Sequence, residues 1–151
     1  MGDTITKKIK TAYVAGALRG LPAHDAARMK RTYEWIGKIC SECGIDAFIS
    51  HDRARPDRHQ DAAPEEVYRE DTREVVTRDL LIVEATYPSH GAGGEAERAR
   101  EARKRVLLCY ELGADVSRYL RGNPAVEKVI EYKSLQDLKW QLCTWLMEHN
   151  A

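Results

Sequence analysis

The chain of 151 residues is 43% apolar and 32% charged, and its 24 basic residues balance 24 acidic ones to a formal net charge of zero. Neutrality excludes a nucleic-acid binder that works through a broad positive field, and the apolar content excludes a disordered chain. No run approaches the ~20 apolar residues of a membrane span, and the start, MGDTITKKIKTAYVAG, lacks the apolar stretch and cleavage pattern of a signal peptide. The expectation is one soluble, cytoplasmic domain over residues 1–151, of a size that buries roughly 68–70% of its unfolded surface without staples.

In chain order, Ile9 to Gly16 is short, β-prone and ends at a glycine, which predicts a strand. A helix is expected from Asp25, read as its N-cap, to Cys43. Met29, Tyr33, Ile36, Ile39, Cys40 and Cys43 form its apolar stripe, and Gly44 stops it. Ile45 to Ser50 reads as a second strand, and the polar, proline-containing stretch His51 to Ala63 as a long loop of the functional or disordered kind. Pro64 opens a helix to about Arg78. Leu80 to Ala85 is continuously apolar apart from Glu84, as in a central parallel strand covered on both faces. TYPSHGAGG is read as a turn, followed by an alanine-rich helix over 94–104. Arg105 to Tyr110 and Val126 to Tyr132 are the last two strands, with a short helix between them over 113–121. The final helix starts at Ser134, with Asp137 completing an acidic variant of the capping box.

Zero net charge conceals a bias. Residues 1–31 hold seven basic side chains against two acidic ones, so a small anion facing one of these cations is a possibility beside plain solvation. Cys40 and Cys43 form a CxxC at a helix end, but no second close pair or matching histidine pair accompanies it, so free thiols in a reducing compartment are expected and a metal site is not.

Five strands alternating with helices imply an α/β, three-layer, Rossmann-like parallel sheet with helices on both faces, for which the order 2-1-3-4-5 is taken. Ligands of such sheets bind beyond the carboxyl ends of the strands where the order reverses, between strands 1 and 3. That directs attention to the loops 16–24 and 86–95. In the first, Gly16 and Gly20 flank Arg19, whose forked guanidinium suits a phosphate or carboxylate, with a turn carrying a surface arginine as the plainer alternative. In the second, three glycines and Ser89 precede a helix start that favours an anion, and Glu95 is read into its first turn. Asp71 shares a stripe with Val67 and Val75, where most acids do not sit. It reads either as a partly buried general acid or as a cap or salt-bridge partner. Glu84 is a third acid in an unusual place, turned to the crevice or to a buried donor. Paired carboxylates beside a phosphate-compatible arginine and helix start suggest glycosidic chemistry on a phosphorylated ligand.

The segments AYVAGALRG, EDTREVVTRDLLIVEATYPSHGAGGEAERA and SRYLRG, in order over roughly residues 12–122, resemble the nucleoside 2-deoxyribosyltransferase superfamily, most of all its 2′-deoxynucleoside 5′-phosphate N-hydrolase branch. The resemblance implies a flavodoxin-like sheet, a homodimer, no cofactor, and cleavage of the base–sugar bond of nucleoside monophosphates. By position it assigns Glu95 as catalytic glutamate, Asp71 as the acid assisting the leaving base, and Tyr13 as the residue that orients Glu95. It gives the 5′-phosphate to Gly16, Arg19, Gly20, Ser89 and Gly91, places Leu18 near the sugar 2′ position, and matches His51 to a histidine ending the second strand. Ser117 is implied to reach the neighbouring subunit's site. Ala17 and Gly94 depart from residues common in that branch, which leaves ribonucleotides open beside deoxyribonucleotides. A base-exchanging transferase and a non-catalytic nucleotide-binding domain stand as the alternatives.

Overall fold

The computed structural model describes residues 7–50 and 62–150. Its elements are β1 (Thr11–Gly16), α1 (Ala23–Glu42), β2 (Asp46–Ile49), α2 (Pro64–Thr77), β3 (Leu80–Glu84), α3 (His90–Glu101), β4 (Arg105–Glu111), α4 (Arg118–Arg121), β5 (Val126–Tyr132) and α5 (Leu135–Asn150). The five strands pair in parallel in the order β2-β1-β3-β4-β5, so the flavodoxin-like α/β expectation holds. The reversal falls between β1 and β3, where Gly16 pairs with Glu84 at the carboxyl ends.

Alternation along each strand sends side chains to two cores. On one face Val14, Ile82, Leu107 and Ile130 meet the stripes of α1 (Met29, Tyr33, Ile36) and α5 (Leu138, Leu142, Leu146). On the other, Tyr13, Leu81, Val83 and Leu108 meet Val75 of α2 and Ala92, Ala96 and Ala99 of α3. Alanines let α3 lie close to the sheet. The entry to the sheet is tied by polar bonds: Asn150 accepts from the Ile9 N–H and donates to the Ile9 carbonyl, at 2.9 and 2.8 Å. Asp79 accepts from the Lys10 and Thr11 N–H groups at 2.9 and 3.1 Å.

Three boundaries differ from expectation. Helix α1 begins at Ala23 with Pro22 in the cap position, so Asp25 is not the N-cap; it lies in the first turn, where its charge suits the helix dipole. Helix α3 begins at His90, four residues before the expected start. Three glycines disfavour a helix by about 1 kcal/mol each relative to alanine, which makes the segment read as a turn. The Ser89 hydroxyl accepting from the Ala92 N–H at 3.1 Å, with the buried alanine face, holds it helical instead. Glu95 is therefore its sixth residue, in the second turn and not the first. Helix α4 is one turn only, because Gly113 takes a φ of +87° in the preceding turn. His51 and most of the 51–63 loop lie outside the described residues.

Gly16 is fixed by packing. A Cβ there would stand 2.5 Å from the Tyr33 ring, which is 1% exposed and held by its hydroxyl donating to the Ala17 carbonyl at 2.8 Å. Gly16→Ala is expected to destabilise the fold by about 1–3 kcal/mol through overpacking. In urea titration this lowers the unfolding midpoint with the slope unchanged.

All four cysteines are free thiols, as expected. The fold brings Cys43 and Cys143, a hundred positions apart in the chain, to 3.4 Å between their Sγ atoms. Burial pushes the Cys43 thiol up to about 11, with Cys143 adding to the shift.

Candidate active site

The candidate residues fall partly in the turns after β1 and β3, at the carboxyl edge, and partly on the sheet face covered by α2 and α3. Tyr13 is completely buried on β1 and stacks on Phe48 of β2, its register partner, with ring centroids 5.6 Å apart. On the same face α2 and α3 pack over the sheet and bring Asp71 and Glu95. Asp71 lies one helical turn before Val75, which is 2% exposed, so the inward stripe read from sequence is present. The Tyr13 hydroxyl, one Asp71 carboxylate oxygen and one Glu95 carboxylate oxygen are all closed off from solvent.

The start of α3 supplies the most informative geometry. Glu95 Oε1 lies 3.7 Å, and Ser89 Oγ 3.9 Å, from the point where a Cβ on Gly91 would stand. The carboxylate is thus turned back toward the first turn of its own helix, over a glycine without a side chain, and the Ser89 hydroxyl approaches the same point. Such an arrangement brings a carboxylate oxygen and a hydroxyl to within 4 Å of the Cβ position of Gly91. Across the crevice the β1–α1 turn presents Leu18, 43% exposed, and Arg19, also exposed. Gly20 turns the chain with a φ of +77°, a backbone conformation that favours glycine.

Ser89 also lines a cavity of about 300 Å³ between the start of α3 and the α4 turn, together with Val83, Glu84, Tyr87, Ser117 and Asn123. Ser117 is exposed and caps α4, its hydroxyl accepting from the Leu120 N–H at 3.4 Å. The cavity joins Ser89 to Ser117, whereas Tyr13, Asp71, Glu95 and Arg19 are not in its wall. The two serines therefore share the cavity, while Tyr13, Asp71 and Glu95 lie on the face covered by α2 and α3. Among the described residues, no group of three or more His, Cys, Asp or Glu side chains is arranged to hold a metal ion.

Glu84 takes the second of its two sequence readings, pairing with buried donors. It is 1% exposed. Its carboxylate accepts from the Thr86 N–H at 2.6 Å, from the Thr86 hydroxyl at 2.9 Å and from the Tyr132 hydroxyl. Burial pushes the carboxyl up to about 6, against the lowering effect of the Tyr132 and Thr86 bonds. An acid whose proton affinity is higher in the fold than in the unfolded chain adds stability below its ordinary range and loses it as pH rises through 6. A rise from 4.5 to about 6 corresponds to about 2 kcal/mol. Unfolding free energy is therefore expected to carry a contribution that grows as pH falls from about 6.5 to 4.5, and Glu84→Gln removes that component from denaturation curves measured across the window.

A polar network missed in the sequence extends from this point. Tyr87 donates to Asp25 at 2.6 Å, and Arg28 reaches Asp25 and the Tyr87 hydroxyl at 3.4 Å and also pairs with Glu111. The Thr86 hydroxyl accepts from the Glu111 N–H at 3.0 Å. The acid within an apolar strand was the available signal for its centre. Its partners come from elements far apart in sequence and carried none.

The fold defines the class, a flavodoxin-like α/β protein with an all-parallel sheet of order β2-β1-β3-β4-β5. The chain is 33% identical over 131 residues to a protein of Syntrophotalea carbinolica provisionally named 2′-deoxynucleoside 5′-phosphate N-hydrolase 1, covering 83% of this chain and 87% of that protein. A Methanosarcina barkeri protein of the same provisional name is 30% identical over 120 residues, 78% of this chain and 72% of its own. Among solved structures, the CMP N-glycosidase of Clostridium botulinum superposes with a TM-score of 0.69 at 19% identity, over 90% of this chain and 99% of that one. A 2-deoxyribosyltransferase of Bacillus psychrosaccharolyticus superposes with a TM-score of 0.62 at 14% identity, over 85% and 90%. These two likenesses establish the fold. No family model matches the chain. The chain belongs to the 2′-deoxynucleoside 5′-phosphate N-hydrolase family.

Proposed function

We propose that the chain hydrolyses the N-glycosidic bond of (deoxy)nucleoside 5′-monophosphates, releasing free base and (deoxy)ribose 5-phosphate. The observation that carries this reading is Glu95 Oε1 turned back over Gly91, with Ser89 Oγ approaching the same point. It supports a carboxylate for the sugar and a hydroxyl with a helix start for the phosphate, both reaching toward Gly91.

In this mechanism Glu95 attacks or stabilises the anomeric carbon as the bond to the base nitrogen breaks. The bonding pair leaves with the base, and Asp71 supplies the proton that makes it a neutral leaving group. Water then adds to the anomeric carbon, displacing the Glu95 carboxylate where an ester bond has formed, and loses a proton to the deprotonated Asp71. The sugar 5-phosphate departs and both acids return to their starting states. Tyr13 orients Glu95. Arg19, Ser89 and Gly91 hold the phosphate, aided by the turn Gly16–Gly20, and Leu18 lies against the sugar. His51 is assigned to the substrate by resemblance alone. No cofactor enters the scheme. We further propose a homodimer in which Ser117, exposed at the start of α4, is presented to the neighbouring subunit's site. The free thiols fit a reducing compartment such as the cytoplasm.

Arg19→Ala separates phosphate recognition from glycosidic chemistry. Losing a charge-assisted bond of about 1.5–3 kcal/mol raises KM for a monophosphate roughly 10–100-fold, while KM for the matching nucleoside is unchanged. Equal effects on both ligands contradict the phosphate assignment. Hydrolysis is told from base exchange by adding a second free base. A hydrolase yields the same sugar 5-phosphate with and without it, whereas a transferase yields a new nucleotide.

A further inference from the structure

We propose that Glu84 is a positioning residue for the ligand's anionic group: by gripping Thr86 through its N–H and hydroxyl while anchored on Tyr132, it fixes the course of the chain from Thr86 to Ser89 and hence the start of α3. This inference rests on the phosphate reading of Ser89 given above, and adds to it a residue that makes no part of the acid face.

Ala85 N–H donates to the Cys109 carbonyl at 2.8 Å, the last regular link of β3 to β4. Beyond it, Thr86 is bonded at three points: its N–H and hydroxyl to Glu84, and its hydroxyl oxygen to the Glu111 N–H. Tyr87 is tied through its hydroxyl to Asp25 at 2.6 Å. Pro88 follows with its fixed φ, and Ser89 then accepts from Ala92 N–H. Two successive residues are thus pinned to β3, β4, β5 and α1, and the next two lead directly into the helix start. Removal of Glu84 would free two of the three bonds on Thr86.

An amide in place of the carboxylate cannot reproduce the grip. All three groups facing Glu84 donate hydrogen, so the site wants an acceptor at both oxygens, and a glutamine offers one acceptor and one donor. The other titratable groups that interact with it are Tyr33 from α1, Cys109 and Glu111 from β4, and Tyr132 from β5. Glu111 raises the proton affinity of Glu84, and Tyr132 and Thr86 lower it. Tyr33 is occupied with the Ala17 carbonyl, and Arg28 is occupied with Glu111 and Asp25.

The test uses the full chain with Glu84→Gln, Thr86→Val and Tyr132→Phe, read by amide hydrogen exchange and by kinetics on a 2′-deoxynucleoside 5′-monophosphate. Glu84→Gln is expected to speed exchange at the Thr86 and Ala92 amides with Ile82 of β3 unchanged. It should raise KM about 10-fold or more, the loss of roughly one charge-assisted bond's placement, with kcat within a few-fold. The wild-type rise of KM on the acid side should disappear in Glu84→Gln beyond what ionisation of the substrate phosphate itself gives. In Tyr132→Phe it should move to higher pH, because a bond favouring the carboxylate is gone. Thr86→Val should give the same exchange pattern at Ala92, and it carries the test should Glu84→Gln not fold. Unchanged exchange, or a loss confined to kcat, overturns the proposal. A wild-type protein that cleaves no monophosphate overturns the functional reading instead, and the exchange data then decide the bracing of the loop by themselves.

Discussion

Glu95→Gln is expected to abolish base release from nucleoside monophosphates while the protein stays folded. The substitution keeps size and removes the charge that faces the anomeric centre, and an amide neither attacks nor stabilises an oxocarbenium-like carbon. Loss of a group that acts only in the transition state lowers kcat and kcat/KM together. For a nucleophile, the fall is expected to be at least about 10³-fold. Glu95 packs back over its own helix start, at 3.7 Å from the Cβ position of Gly91. The isosteric amide therefore leaves α3 and its buried alanines undisturbed. The check is product formation by chromatography, with circular dichroism and the melting temperature as controls for the fold. Near-full activity in this variant sinks the assignment.

Asp71→Asn has the second largest effect, and its size depends on the leaving base. General acid catalysis contributes about 10²–10⁴-fold, and an amide cannot deliver the proton. Asp71 sits one turn from Val75 on the inward stripe of α2, with one carboxylate oxygen closed off from solvent. An acid placed there is shielded from water competing for the same proton transfer. kcat is expected to fall within that range for natural bases. A substrate whose leaving group needs no proton, such as a nitrophenyl deoxyriboside 5-phosphate, should recover most of the loss. An equal loss with both leaving groups would show that Asp71 supports the site structurally and not as the acid.

The fold was largely legible because its signals are local and repetitive. Leu80–Ala85 has to be a central strand, since nothing else buries so continuous an apolar run. The stripe from Met29 to Cys40 has to face a core, and does. Legibility failed where a side-chain bond outweighed propensity. Gly91, Gly93 and Gly94 read as a turn, yet the Ser89 cap and the alanine face make them the first turns of α3. That shift moved Glu95 from the first helical turn to the second and aimed its carboxylate back at Gly91. Asp25 read as a cap, and instead serves Tyr87 and Arg28.

The candidate site was partly legible for a similar reason. Asp71 and Glu84 were visible as acids among apolar neighbours, and each does lie inward. Which donors Glu84 meets was not visible. Thr86 is two residues away, but Tyr132 is 48 residues along the chain, and only the parallel pairing of β3, β4 and β5 brings it near. The nearness of Cys43 to Cys143 was hidden likewise, because it depends on α1 and α5 covering the same face.

The central claim is that an N-glycosidic bond is cut in a ligand held by its 5′-phosphate. The most direct test incubates the purified protein with matched pairs of nucleosides and nucleoside 5′-monophosphates, in the deoxy and ribo series, and quantifies free base. Release of base and sugar 5-phosphate from at least one monophosphate, with its unphosphorylated partner cleaved far more slowly, is the predicted result. No base from any monophosphate, or equal cleavage of a nucleoside and its monophosphate, would contradict the account.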